Sequence, residues 1–388
     1  MKHRILFFHH EFPGGGGERV TLDIATYLQS FDFETYVVTC NKKNDYAIPE
    51  VTIIELPCRK LNSRENSNVI INTINSLAID IFIVPGFLLD DLEYIKENTK
   101  CKLVYVLHNV PFWEVIAKIE RRKRTQGSIL KMLEWYFLGY PKAILLNQYT
   151  RKYMKRYKEV YDLVDDYVVL CDAYKEQLVK TLKLPINNKV HVIHNSERKV
   201  SPVCLEKKNQ VLFVGNLIYE NKRVDRLLEI WNMVYKRLPD WELIVVGGGL
   251  ELKSLQCQAN KMHLERIFFV GGVKNAKSYY QEASVLCLTS TFEGWPLCLT
   301  EAQSYGVVPI AFNSCAGIEE ILAPSGVNGI LVPPFDKEKF AEELFGLLTC
   351  SERIRELRTN VLLKSQNYSI EIVGPKWHTL FNQLLKRS

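Results

Sequence analysis

Residues 284–302 read SVLCLTSTFEGWPLCLTEA. Four apolar residues, 285–288, are followed by a polar turn and then by a segment with helical character. A continuous apolar run of that length suits a strand buried on both faces of a parallel sheet. Pro296 suits the first turn of a helix, where its missing N–H costs little. The stretch therefore reads as strand, loop and helix. One carboxylate, Glu293, stands in the loop, and a second, Glu301, falls in the second helical turn.

The same alternation extends in both directions. Downstream come VVPIAFN (307–313) and GILVPP (329–334); upstream come QVLFVGN (210–216), WELIVVGGG (241–249) and RIFFVGG (266–272), with helical stretches between them. The amino half repeats the pattern with RILFFHH (4–10), ETYVVTC (34–40), VTIIELP (51–57), IDIFIVPG (79–86), KLVYVLHN (102–109), AILLN (143–147), DYVVLC (166–171) and VHVIHN (190–195). Strands alternating with helices imply right-handed βαβ units. The pattern breaks at NSERKVSPVCLEKKNQ (195–210), which is polar and holds a Pro. The expectation is an α/β protein of two Rossmann-like doubly wound domains facing across a cleft. Residues 1–200 would form the first and 201–368 the second, with a last helix, 369–388, crossing back to the first. Ligands of such sheets bind outside the carboxyl ends of the strands, at switch points.

A chain of 388 residues with 47% hydrophobic and 24% charged residues fits about two globular domains. It contains no apolar run long enough for a transmembrane helix, and MKHRILFFHHEF reads as a first strand rather than a signal peptide. None of the ten cysteines forms a C-x-x-C pair, and most sit in apolar runs. That argues against a zinc site or a disulfide framework and for a reducing cytosol. The net charge of +6 comes from one region: residues 117–158 hold twelve Lys/Arg against Glu120 and Glu134, so the remainder is slightly acidic. No nucleic-acid-binding module accompanies that region, and nucleic acid is not expected as a partner.

Pro13–Arg19, PGGGGER, follows strand one and opens a helix. Glycines let a backbone approach a ligand closely, and a helix N-terminus presents N–H groups to anions. Pyrophosphate binding is one reading and a flexible turn the other. The run does not match G-x-G-x-x-G, and no Asp or Glu closes ETYVVTC as a ribose ligand would, which weakens a dinucleotide reading. Around residues 293–301 the chemistry is different. The N–H groups of residues 297–299 suit a diphosphate, while two carboxylates suit vicinal hydroxyls. Together they fit a nucleotide-sugar, with two solvated glutamates as the bland alternative.

Glu293 and Glu301 are separated by seven residues, and the segment resembles the E-x7-E motif of retaining glycosyltransferases of the GT-B fold, family 4. The likeness continues through Gly306-Val307-Val308-Pro309, Gly317-Ile318-Glu319-Glu320 and Asn328-Gly329-Ile330-Leu331-Val332. Upstream, FVGNLIYENK is similar to the family's V-G-R-L-x-x-x-K-G element, IVVGGG to its V-G-x-G turn, and Leu107-His108-Asn109 and the glycine loop match in placement. The resemblance implies that Glu293 contacts donor-sugar hydroxyls and Glu301 the ribose hydroxyls. It implies that Gly294, Trp295, Pro296, Leu297 and Cys298 line diphosphate and sugar, and that Lys222 binds phosphate. His108 would lie near the reaction centre, and Gly15, Gly16 and Gly17 would approach the diphosphate or the acceptor. One departure stands out. Asn216 occupies the place of the family's Arg and cannot make its charged bidentate contact; Arg223, beside Lys222, is the candidate replacement.

The implied reaction is a metal-independent, retaining transfer from a nucleoside-diphosphate sugar, UDP-sugar favoured, with no cofactor beyond that co-substrate. No D-x-D metal motif appears at a matching place. The acceptor would be a glycan or lipid-linked sugar of bacterial surface-polysaccharide assembly. The basic segment Lys118–Lys158, interleaved with Trp135, Tyr136 and Phe137, suits contact with an anionic inner-membrane face, and a charged exposed helix is its alternative. Competing readings are a catalytically weak scaffold subunit, for which Asn216 speaks, and a nucleotide-sugar epimerase of the same fold.

Overall fold

A computed structural model describes residues 2–43, 48–123, 128–145 and 147–387. The chain divides into two compact units. The first comprises residues 1–111, 149–196 and 370–388; the second comprises 112–148 and 197–369.

The first unit is built on a seven-stranded parallel sheet: β1 (His3–Phe12), β2 (Phe33–Lys42), β3 (Thr52–Glu55), β4 (Ile81–Pro85), β5 (Lys102–Val106), β6 (Asp166–Val169) and β7 (Val190–Val192). Their order is β3-β2-β1-β4-β5-β6-β7, and Leu6 of β1 pairs with Tyr36 on one side and Phe82 on the other. Ile5, Leu6, Phe8, Phe82 and Ile83 are fully buried. Each such side chain contributes about 1.5–3 kcal/mol by leaving water. The helix Ile370–Lys386 belongs to this unit and carries His378 onto Phe31, ring centroids 4.4 Å apart, and Phe381 towards Phe33 at 6.2 Å.

The second unit has six parallel strands: β8 (Gln210–Val214), β9 (Glu242–Val246), β10 (Ile267–Gly271), β11 (Val285–Leu288), β12 (Val308–Phe312) and β13 (Ile330–Val332). Their order, β10-β9-β8-β11-β12-β13, repeats the permutation of the first sheet. In each unit the winding reverses beside the first strand: between β1 and β4, and between β8 and β11. These switch points leave a crevice at the carboxyl ends of the central strands. Beside the second one, between the ends of β8 and β9, the chain is packed backbone to backbone. A Cβ on Gly247, just after β9, would lie 1.9 Å from the carbonyl oxygen of Gly215, just after β8.

Two parts differ from the sequence expectation. AILLN (143–147) is not a strand: Pro141–Leu145 is helical, and residue 146 lies outside the described residues. A short apolar run does not by itself distinguish strand from helix, and here no neighbouring strand takes it. Residues 112–148, read with the first domain, group with the second unit. Three contacts of the helix Trp113–Lys123 account for part of this. Arg121 pairs with Glu220 at 3.0 Å, Glu120 with Arg223 at 3.5 Å, and Trp113 faces Phe292 at 6.5 Å between ring centroids.

Candidate active site

The loop after β11 and the loop after β8 form one polar cluster at the switch point of the second unit. Lys222 Nζ donates to Glu293 Oε1 at 2.7 Å, with 15% and 10% of the side chains exposed. Ser290 Oγ donates to the same oxygen at 2.6 Å. Burial pulls the Lys222 pKa down, but the charge of Glu293, the neighbouring thiols and the hydrogen bond outweigh it and hold the ammonium above its ordinary value. The cation is therefore permanently charged in a largely water-excluded place, as a clamp on a leaving phosphate requires.

Backbone bonds fix this pair. The Thr291 N–H donates to the Asn221 carbonyl at 2.6 Å, and Thr289 Oγ1 donates to the Arg223 carbonyl at 3.0 Å. Cys315 Sγ donates to the Glu293 carbonyl at 3.1 Å. The Lys222 loop is thus stitched to the Glu293 loop on both sides of the ion pair.

Beyond Glu293, buried Gly294, Trp295 and Pro296 lead into the helix Leu297–Ser304. Trp295 packs edge-on against Tyr368, centroids 5.3 Å apart. Pro296 is the N-cap rather than the first helical residue, and no side chain caps the helix. The expected trio of N–H groups is shortened to two, because Leu299 already donates to the Pro296 carbonyl at 2.9 Å. Leu297 and Cys298 retain the place of the first helical N–H groups, ahead of the intrahelical ladder. The Cys298 thiol is pushed up to about 12, chiefly by burial, so it is a neutral wall of the site. Glu301 accepts a hydrogen bond from the buried Tyr280 hydroxyl, and Tyr280 stacks on Tyr305 at 5.5 Å. Burial and the Glu301 charge keep that phenol protonated.

Asn216 is exposed after β8, its carbonyl accepting from the Ile218 N–H at 3.0 Å. Arg223 is already occupied. Its Nε and Nη2 bond Asp225 at 3.0 and 2.8 Å, its Nη1 lies 3.5 Å from Glu120, and its plane covers Tyr219 at 4.4 Å.

The first unit gathers a different set. Gly15 caps the helix Gly16–Leu28, and Glu18 turns back so that its carboxylate takes the backbone N–H groups of Gly15 and of itself. A Cβ on Gly15 would lie 2.6 Å from that carboxylate. A Cβ at Gly17 would meet nothing. Buried His9 lies 3.8 Å from Glu18 and bonds Thr21 Oγ1 at 2.9 Å. His108 follows β5, hydrogen-bonds Asn195, and holds its Nδ1 buried without a hydrogen-bond partner. Burial lowers His108 to about 4, and burial followed by the His108 charge lowers His9 to about 3. Both are neutral imidazoles at pH 7.

Lys222, Glu293, Gly294, Trp295, Pro296, Leu297, Cys298 and Glu301 therefore belong to the second unit, and Gly15, Gly16, Gly17 and His108 to the first. Sequence reading gave no role to Ser290, Tyr280 or Glu120 and did not find the Glu18–His9 contact. Only Ser290, three residues before Glu293, left a local signal. Among the described residues no group of three or more His, Cys, Asp or Glu side chains is gathered as a metal would need.

The family profile described as "Glycosyl transferases group 1" matches residues 195–362, and that of "Glycosyltransferase Family 4" matches 14–196. Together the two profiles span residues 14–362, the two halves of a glycosyltransferase of the group 1, GT-B type. It is 31% identical over 228 residues to the amylovoran biosynthesis glycosyltransferase AmsD of Erwinia amylovora, a match covering 57% of this chain and 63% of AmsD. It is 28% identical over 381 residues to an uncharacterized glycosyltransferase of Haemophilus influenzae, covering 97% and 99% of the two chains. Anabaena HepE, solved in complex with UDP and glucose, superposes with a TM-score of 0.72 at 16% identity, over 98% of this chain and 100% of that one. The fold is GT-B, and the chain is a glycosyltransferase related to enzymes of polysaccharide biosynthesis.

Proposed function

We propose that this glycosyltransferase moves a sugar, with retention of configuration, from a nucleoside-diphosphate sugar to a glycan or lipid-linked acceptor in bacterial surface-polysaccharide assembly. UDP-sugar is the favoured donor, and no metal or further cofactor takes part. The observation that carries this reading is the Lys222–Glu293 pair beside a helix start that no side chain caps, with Glu301 one turn further on. The helix start and Lys222 suit the diphosphate. Glu293 and Glu301 suit the sugar and the ribose. As the anomeric bond to phosphate breaks, the acceptor oxygen bonds the same face and the leaving phosphate takes its proton, while Lys222 offsets the growing charge.

Partner and location follow from the second unit's surface. Ile129, Leu130 and Phe137 are 71%, 80% and 74% exposed, and Met132, Leu133, Tyr136, Leu138, Tyr140 and Ile144 are exposed too. They lie within the basic segment Lys118–Lys158, part of which (residues 124–127 and 146) falls outside the described residues. Apolar side chains among cations are what an interfacial element offers an anionic membrane. We place the enzyme at the cytoplasmic face of the inner membrane. No described helix is long and apolar enough to cross it.

The test is product analysis with UDP- and GDP-sugars and a lipid-linked acceptor. A retaining transferase releases nucleoside diphosphate and keeps the donor's anomeric configuration in the product. An altered nucleotide-sugar would make it an epimerase. The occupation of Arg223 by Asp225 and Glu120 leaves the missing Arg at Asn216 unreplaced, and this favours the scaffold reading as the second choice. Release of neither product would select it.

A further inference from the structure

We infer that the helix Trp113–Lys123 is a strut for the phosphate clamp, and that Arg223 is its latch to Glu120 rather than a ligand of the donor. This rests on the donor reading above. The helix is braced against the chain neighbours of both members of the Lys222–Glu293 pair. Trp113 packs against Phe292, the residue before Glu293, at 6.5 Å and 32° between rings. Glu120 meets Arg223, the residue after Lys222, at 3.5 Å. Arg121 meets Glu220, two residues before Lys222, at 3.0 Å.

Glu120 is the residue that makes the case. It sits in a basic stretch where a solvated glutamate would be unremarkable, yet it is only 8% exposed. Its partner is equally committed. All three nitrogens of the Arg223 guanidinium face carboxylates, Nε and Nη2 that of Asp225 and Nη1 that of Glu120, and its plane covers Tyr219. The Arg223 backbone is left-handed, φ +48°, a costly conformation for a long side chain that persists only where its surroundings enforce it. Its carbonyl accepts from Thr289, at the end of β11. Side chain and backbone of one residue thus tie strut, Lys222 and the Glu293 strand together. A phosphate reaching Arg223 would have to dismantle this; a phosphate reaching Lys222 would benefit from it.

The same helix carries exposed Arg121 and Arg122 and continues in sequence towards the exposed apolar residues from Ile129 on.

The experiment is calorimetric titration of UDP and GDP, each beside its nucleoside. The proteins are wild type, Glu120→Gln, Arg121→Glu and the swapped pair Arg121→Glu/Glu220→Arg. Removing one charge of a preorganised site raises Kd for the diphosphate about tenfold. The nucleoside, which lacks the phosphates, should keep its affinity, and the swapped pair should recover diphosphate binding. Unchanged diphosphate affinity in Glu120→Gln overturns the strut. Tighter binding also overturns it, because Arg223 would then be a phosphate ligand that Glu120 restrains. Melting curves accompany each titration. If Glu120→Gln is unfolded at the assay temperature, the exposed Arg121–Glu220 swap decides alone. If the wild type binds neither diphosphate, the donor reading has failed and takes this inference with it.

Discussion

The loops after β1 and β11 start from the same element of fold, a strand beside a switch point feeding a helix, and finish it in opposite ways. After β1, four glycines open the turn, and Glu18 folds back to fill the helix N-terminus with a carboxylate of the protein's own. After β11, Pro296 stands at the N-cap with no capping side chain, and a charged lysine is held nearby on Glu293. At the first helix start a carboxylate takes the N–H groups of Gly15 and Glu18, while the second keeps those of Leu297 and Cys298 beside a cation. A glycine-rich turn is thus a weaker sign of anion binding than an uncapped helix next to a buried lysine.

The largest effect should follow from attacking the second loop. Lys222→Ala removes the cation at the leaving phosphate and leaves Glu293 with an unmatched buried charge. Transfer should fall about 10²–10³-fold in kcat, read by nucleoside-diphosphate release. A change under tenfold would break the comparison. Glu301→Gln keeps the Tyr280 contact but loses the charge that strengthens bonds to ribose hydroxyls. Nucleotide Kd should rise about tenfold, equivalent to roughly 1.4 kcal/mol, with the melting temperature nearly unchanged.

Gly247→Ala tests how tightly the β8 and β9 ends are packed beneath that site. With the Gly215 carbonyl 1.9 Å from the new carbon, the backbone must shift. Overpacking of this kind costs about 1–3 kcal/mol, measured by urea unfolding.

The first unit should answer to pH instead. His9 and His108 stay neutral when folded, with pKa values lowered from 6.5 to about 3 and about 4. The unfolded chain takes up those protons and the folded one does not, so stability present above pH 6.5 is lost as pH falls towards 4. Thermal melts across that window should show the loss, and His108→Asn should flatten it. The smallest effect belongs to Glu18→Ala. Losing the cap should cost about 1 kcal/mol and leave nucleotide affinity intact. A large loss of affinity would show that the two loops are not as different as their caps suggest.

Much of this was legible in sequence because it is local. Runs such as QVLFVGN and SVLCL recur between turns and helical stretches, as the strands of a parallel sheet do, and a proline at 296 marks a helix start within a residue. Glu293, Glu301 and Lys222 stand out through spacing and resemblance. What stayed hidden is set by chain contacts at long separation. Glu120 meets Arg223 across 103 positions, Tyr280 reaches Glu301 across 21, and Lys222 reaches Glu293 across 71. AILLN differs from its strand reading because Ala143, Ile144 and Leu145 lie on a helical segment with Ile144 exposed, where strand-like composition serves no sheet.

The most direct measurement is thermal stabilisation by a panel of UDP-, GDP-, ADP- and TDP-sugars, with and without EDTA, on wild type and Glu301→Ala. A ligand that binds only the native state raises the melting temperature by mass action. The account predicts a shift with one nucleotide class, UDP first, insensitive to EDTA and lost in the variant. Absence of any shift, or a shift that survives in Glu301→Ala, would contradict a nucleotide-sugar site at the β8–β11 switch point.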